Sequence, residues 1–187
     1  MSSSRTFALP SIASGVAAMT VIVTASNFLV QYPINDWLTW GALTYPVAFL
    51  VTDLTNRKLG ARSARRVVYV GFALAVILSA VLATPRIAMA SGSAFLVAQL
   101  LDIVVFDRLR RARWWLAPLV SSTLASVVDT ALFFSLAFAG TGFPWITLAF
   151  GDLGVKLAMA LVMLIPFRML LSVTAPVAGD AASEGAS

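Results

Sequence analysis

The chain contains no cysteine and no histidine. The first absence excludes disulfides, iron–sulfur clusters and thiol nucleophiles, and the second removes the commonest transition-metal ligand and general base. Charge is scarce as well: 11% of the 187 residues are charged, against about a quarter in ordinary soluble domains. Apolar side chains fill the difference, at 60% of residues, and mean hydropathy is +0.92. This composition predicts an integral membrane protein that needs no cofactor or metal.

The formal charge is +5 and the pI about 10.5. In a soluble protein that balance would point to nucleic acid, but here the basic residues sit in short gaps between apolar runs, which is a topological pattern and predicts no nucleic-acid partner. Six runs are long enough to cross a bilayer, at about 9–30, 37–53, 67–84, 87–106, 114–138 and 144–171. The expected fold is all-α: a polytopic membrane protein with six transmembrane helices in one compact bundle over 9–171, and disordered tails at 1–8 and 172–187. Pro10, Pro85 and Pro144 fall at or just before helix starts, whereas Pro46 and Pro166 fall inside helices and predict kinks. The N-terminal run superficially resembles a signal peptide, but it is long and carries a polar stripe, so it is read as helix one.

Two expected loops, 53–66 and 107–113, carry Arg57, Lys58, Arg62, Arg65 and Arg66, and Arg108, Arg110, Arg111 and Arg113. The positive-inside rule makes both cytoplasmic. Six spans then put both termini inside and leave Arg86 as the only basic residue outside. Trp114 and Trp115 fall at the inner interface, and Trp37 and Trp145 at the outer one, as interfacial anchors.

Against this apolar background stand Asp53, Asp102, Asp129, Asp152 and Lys156. An aspartate or lysine at a span centre costs about 2.5–3.5 kcal/mol on insertion scales, so each needs a partner, a ligand or water. From the 1.5 Å helical rise, Asp129 lies about 22 Å into its helix, in the outer half, while Asp152 and Lys156 lie about 12 Å and 18 Å into theirs. Asn27 falls in the outer third, Gln31 at the outer edge, Gln99 near the middle and Asp102 in the inner half. Thr20, Thr24, Asn27 and Gln31 share one face of helix one, and Ser122, Ser126 and Asp129 share one face of helix five. Gln99 with Asp102, and Asp152 with Lys156, are pairs at i, i+3 and i, i+4. Four helices are therefore expected to line one polar cavity, flanked by Phe28, Trp40 and Phe95. The alternative is that Asp152 and Lys156 only neutralise each other and that the hydroxyls and amides are interhelical glue. Asp102 and Asp129 have no basic residue three or four positions away within their spans, so a cross-helix partner, a ligand or a proton must stabilise each. Asp53 either caps the end of helix two or pairs with Arg57, or else serves a cytoplasmic gate. Small residues at Gly71, Ala75 and Ser79, and at Ala13 and Ala17, read as close-packing ridges, the second of which also suits another subunit.

A cavity of this kind fits a small planar solute with donor edges, because carboxylates accept paired N–H donors and aromatic faces stack flat rings. No nucleophile–base pair or metal set accompanies it, which favours transport over catalysis. The stretch PVAFLVTDLTNRKLGARSARRVVYVGF, from Pro46 to Phe72, resembles the signature of the queuosine-precursor transporter family, also called the vitamin-uptake-like family. Gln99 with Asp102, then Ser122 with Asp129 and Thr130, then Lys156 followed by Pro166, match its pattern in order.

The resemblance implies a six-helix inner-membrane importer of 7-cyano-7-deazaguanine or 7-aminomethyl-7-deazaguanine. It also implies a fold similar to the substrate-binding subunits of energy-coupling-factor importers, but working without their ATPase. On that basis Asp129 or Asp102 takes the N–H edge of the deazaguanine; Asn27, Gln31 and Gln99 meet its carbonyl or 7-substituent; and Lys156, with Asp152, donates or balances charge. Asp53, Asn56 and Arg57 become gating or coupling candidates. One departure stands out: Arg57 follows Asn56 where the family usually has an acidic residue. Competing readings are a binding subunit for another vitamin or nucleobase that needs an ATP-driven partner, and a structural subunit whose buried charges only pair helices. A homo-oligomer or an unknown coupling partner fits any of these.

Overall fold

The computed structural model describes residues 12–29, 32–35, 38–79, 85–142 and 145–171. The expected tails at 1–8 and 172–187, and Pro10, Gln31, Trp37 and Pro144, lie outside the described residues.

Helix α1, Ile12–Leu29, leads to a small antiparallel hairpin of β1, Pro33–Asn35, and β2, Leu38–Thr39, the one departure from an all-helical fold among the described residues. Helix α2, Trp40–Thr44, follows directly, and α3, Val47–Ser79, begins two residues later. The expected second span is thus interrupted at Tyr45 and Pro46. Proline has no N–H to donate and disfavours helical geometry in the residue before it. The chain crosses this point on tighter turns, with the Ala48 and Phe49 amides donating to the Tyr45 and Pro46 carbonyls at 3.0 and 3.1 Å.

The expected loop at 53–66 is helical on both sides of one residue. Gly60, at φ 81 and ψ 167, breaks α3 into arms of 47–59 and 61–79. That backbone conformation is accessible essentially to glycine alone. The carbonyls of Asn56 and Arg57, just before the break, accept from the Arg110 guanidinium at 3.4 and 3.1 Å. The break also turns the chain back on itself. Val67 and Thr55 both reach within 3.3 Å of the position a Cβ would take on Gly15, whereas twelve residues of straight helix would hold them about 18 Å apart.

Helix α4, Pro85–Leu109, opens on proline as expected, and α5, Leu116–Phe138, packs along it. The expected last span divides into α6, Trp145–Val162, and α7, Leu164–Leu170. Pro166 cannot donate to the Val162 carbonyl, and the axis changes at Met163 beside that missing bond.

Contacts fix the helix directions. Gly15 and Gly71 of α1 and the second arm meet Val67 and Met19 respectively, so those two run parallel. Thr52 with Gln99 and Asn56 with Ile103 make the first arm parallel to α4. Tyr45 with Asp129 and Asp53 with Ser121 make α5 antiparallel to that arm.

Gly71 is where α1 comes closest, since a Cβ there would lie 2.6 Å from Met19 Cγ. Ala13 and Ala17, expected as a packing ridge, are exposed instead. Met19, Val67, Val68, Phe95 and Ile103 form the main apolar core where α1, α3 and α4 meet. A second core joins Phe106, Ala117 and Phe167. Among the described residues four helices are long and apolar enough to cross a membrane: Ile12–Leu29, Pro85–Leu109, Leu116–Phe138 and Trp145–Leu170. The arms of α3 fall short of that pattern because Asp53 and five basic residues interrupt them.

Candidate functional site

Two acidic clusters lie inside the bundle. In the first, the Lys156 ammonium donates to Asp129 Oδ2 at 2.7 Å, to Asp152 Oδ2 at 2.5 Å and to Thr130 Oγ1 at 3.1 Å, which uses all three of its protons. Thr130 donates in turn to Asp152 Oδ2 at 2.8 Å, and the Tyr45 hydroxyl donates to Asp129 Oδ1 at 3.1 Å. The ammonium also sits 5.4 Å from the centre of the Tyr45 ring. Helical spacing brings Asp152 and Lys156 together on α6, and the α5–α6 packing adds Asp129 and Thr130. Two carboxylates and one ammonium leave this cluster with one net negative charge. The Asp152 side chain is 18% exposed, against 5% for Asp129 and Lys156.

In the second cluster Asp53 and Asp102 face each other between the first arm of α3 and α4, both fully enclosed. Ser121 of α5 donates to Asp53 Oδ1 at 3.5 Å. Two bonds pin the register around the pair: Thr52 Oγ1 donates to Gln99 Oε1 at 2.6 Å, and Asn56 Nδ2 donates to the Ile103 carbonyl at 3.1 Å. Neither oxygen of Asp102 has a hydrogen-bond partner, and no ammonium or guanidinium pairs with either carboxylate among the described residues.

A cavity of about 10 Å³ runs between the clusters, lined among others by Asp53, Ser122, Ser126, Lys156, Phe49 and Phe167. That volume suits about one water. Asp102 and Asp129 therefore do not share a chamber, contrary to expectation; they belong to separate clusters, and neither lines the cavity. Nor does α1 line it, because α1 packs on α2 and α3, which leaves Asn27 half-buried away from the cavity. Phe28 and Trp40 are turned outward at 45% and 51% exposure, while Phe95 is buried against Phe72 and Tyr45. Asp53 is neither a cap nor an Arg57 partner, since it lies within a helical arm that continues for six more residues to the break at Gly60.

Tyr45, Thr52 and Ser121 are the members that sequence reasoning missed. A tyrosine directly before the helix-breaking Pro46, and a threonine directly before Asp53, were the signals that could have exposed two of them.

One end of the bundle is basic. Arg110 pairs with Asp107 at 3.1 Å beside the Gly60 break, and the Arg168 guanidinium stacks 4.7 Å over Trp114. At the opposite end Arg86 donates to the Leu136 and Ala139 carbonyls at 3.1 and 2.7 Å, which caps the C-terminus of α5.

A protein-family model described as putative vitamin uptake transporter matches residues 39–84 and 79–171, well over half of the chain. The chain belongs to that family. It is similar to a protein of Haemophilus influenzae named a probable queuosine precursor transporter, with 37% identity over 78% of this chain and 79% of the relative. The queuosine precursor transporter of Escherichia coli is 35% identical over 81% of each chain. A probable queuosine precursor transporter of Bacillus subtilis is 27% identical over 67% of this chain and 68% of its own length. No solved structure matches this transporter. Family and relatives alike are transporters rather than enzymes by name, which agrees with a multi-pass bundle of apolar helices.

Proposed function

We propose that this transporter imports a queuosine precursor, 7-cyano-7-deazaguanine or 7-aminomethyl-7-deazaguanine, across the bacterial inner membrane. The observation that carries the reading is the buried Asp129–Lys156–Asp152 cluster with its one uncompensated negative charge. A deazaguanine presents N1–H and an exocyclic amine on one edge, and a carboxylate accepts such a pair in a bidentate fashion. Asp152, the most exposed member, takes that edge, while Lys156 stays on Asp129. Exchanging one ion pair for ligand hydrogen bonds leaves every buried charged group with a hydrogen-bond partner, so the cluster can open at moderate cost.

The two arms of α3 add two crossings to the four long apolar helices, for six in all with alternating direction. The basic end is cytoplasmic, as are both termini. A fold like that of energy-coupling-factor binding subunits, working without the ATPase, belongs to the same reading. A cavity of about 10 Å³ is too small for a bicyclic base, so this is a closed state and binding requires helices to part. The segment of α6 and α7 is the element to move, since only 11% of its apolar stretch is buried, against 44% for α4.

The test is restoration of queuosine in the tRNA of cells that neither make nor import the precursor, fed trace amounts of it. The chain restores the modification, and Asp129→Asn and Asp152→Asn do not. Full restoration by both variants at normal membrane levels sinks this site. In detergent, precursor at one hundred times its dissociation constant adds about 2.7 kcal/mol of stability.

A further inference from the structure

The Asp53–Asp102 pair lies outside the cluster proposed to hold the substrate, and it is fully enclosed in the bundle. Asp53 is 2% exposed and Asp102 0%. Charged groups are accounted for on every element packed around them. The first arm of α3 carries Arg57 one turn beyond Asp53, but its carbonyl accepts from Arg110 and its guanidinium pairs with neither aspartate. Helix α5 offers only the hydroxyls of Ser121 and Ser122. Helix α6 offers Lys156, across the cavity, with all three protons already given to the other cluster. Helix α7 turns Phe167 toward the cavity and stacks Arg168 on Trp114 instead. Helix α1 has no ionisable side chain.

Two facing carboxylates in such a site cannot both stay charged, and the least demanding remedy is one proton between them. That proton also supplies what Asp102 lacks, because both of its oxygens are without a donor and a protonated Asp53 becomes one. Asp53 lines the cavity and Asp102 lies behind it, so a proton enters and leaves through Asp53. The buried Asn56 Oδ1 and Gln99 Nε2, both unpartnered, border the pair on either side. A metal ion would need about six oxygen ligands and room for them, whereas an amide donor and a serine crowd this site.

We infer that Asp53 and Asp102 form a proton-binding site and that its occupancy is coupled to import, a step that rests on the transport reading above. Water in the cavity delivers a proton to an Asp53 oxygen, which then donates to Asp102. Once the site opens to cytoplasmic water, which solvates the charged pair, the same proton returns to that water, with no other bond made or broken. The pair positions and carries the proton, while the substrate stays on the Asp152 cluster.

The experiment uses the purified full chain in liposomes, with 7-cyano-7-deazaguanine as the probe and a pH dye trapped inside. One proton per substrate supports about a tenfold concentration ratio per unit of pH difference. Wild type accumulates the probe on that scale, with dye acidification that depends on the probe. Asp102→Asn and Asp53→Asn keep probe counterflow but lose accumulation and acidification. Infrared difference spectra of the protein alone show a protonated carboxyl band that both variants abolish. Accumulation that follows a sodium gradient, or ignores pH while counterflow proceeds, overturns the inference, as does an unchanged band in both variants. A wild type that shows the band but no counterflow keeps the proton site and removes the deazaguanine reading.

Discussion

The two acidic clusters lie about 12 Å apart along α5, from Ser121 to Asp129, and solve the same physical problem in opposite ways. Around Lys156 two carboxylates share an ammonium, a threonine and a tyrosine, which donate to three of their four oxygens. Around Asp102 and Asp53 two carboxylates meet with two serine hydroxyls and no cation. The first arrangement tolerates the exchange of one partner for another, as a substrate site must. The second responds to gain or loss of a proton, because nothing else there can offset the charge.

The sharpest way to break this contrast is to take the cation away. Lys156→Met leaves two unpaired buried carboxylates and should cost about 3–5 kcal/mol, read as loss of folded protein in detergent denaturation. Adding Asp129→Asn and Asp152→Asn to it should recover most of the stability but no uptake. Asp129→Asn alone removes one charge-assisted contact, worth about 1.5–3 kcal/mol, and should lower precursor uptake by about tenfold to a hundredfold at normal membrane levels. The first arm of α3, which carries Asp53, ends at Gly60, so Gly60→Ala, which forces a side chain into a glycine-only conformation, should cost about 1–3 kcal/mol. A Gly60→Ala variant of unchanged melting temperature would show that the break does not require glycine. Thr52→Val removes the bond that pins Gln99 beside Asp102 and should cost about 1 kcal/mol without touching the Lys156 cluster. The smallest effect is expected from Arg57→Glu, which places a carboxylate next to Arg110. A surface pair there is worth about 0–1 kcal/mol, visible as a slight rise in melting temperature.

Much of this was legible in advance. The scarcity of charge marked a membrane protein, and the arginine clusters at 57–66 and 108–113 do gather at one end. The spacing of Asp152 and Lys156 correctly paired them on α6. Asp129 is expected to need a cross-helix partner, a ligand or a proton, and Lys156 is a cross-helix partner. The shared chamber for Asp102 and Asp129 failed because depth along a helix does not say toward which neighbour a residue turns. The loop expected at 53–66 failed because charge was taken as a sign of irregular backbone, when five basic residues can lie along two helical arms joined at one glycine.

Composition and local spacing alone determined that this chain belongs in a bilayer, which end is basic and which residues within one helix meet, since hydropathy and helical pitch are properties of a single segment. Only the packed bundle decided that Asp102 faces Asp53 while Asp129 faces Lys156. Partnership between helices depends on their rotation and register, and those are set by contacts such as Gly71 on Met19 and Thr52 on Gln99 that join residues far apart in the chain.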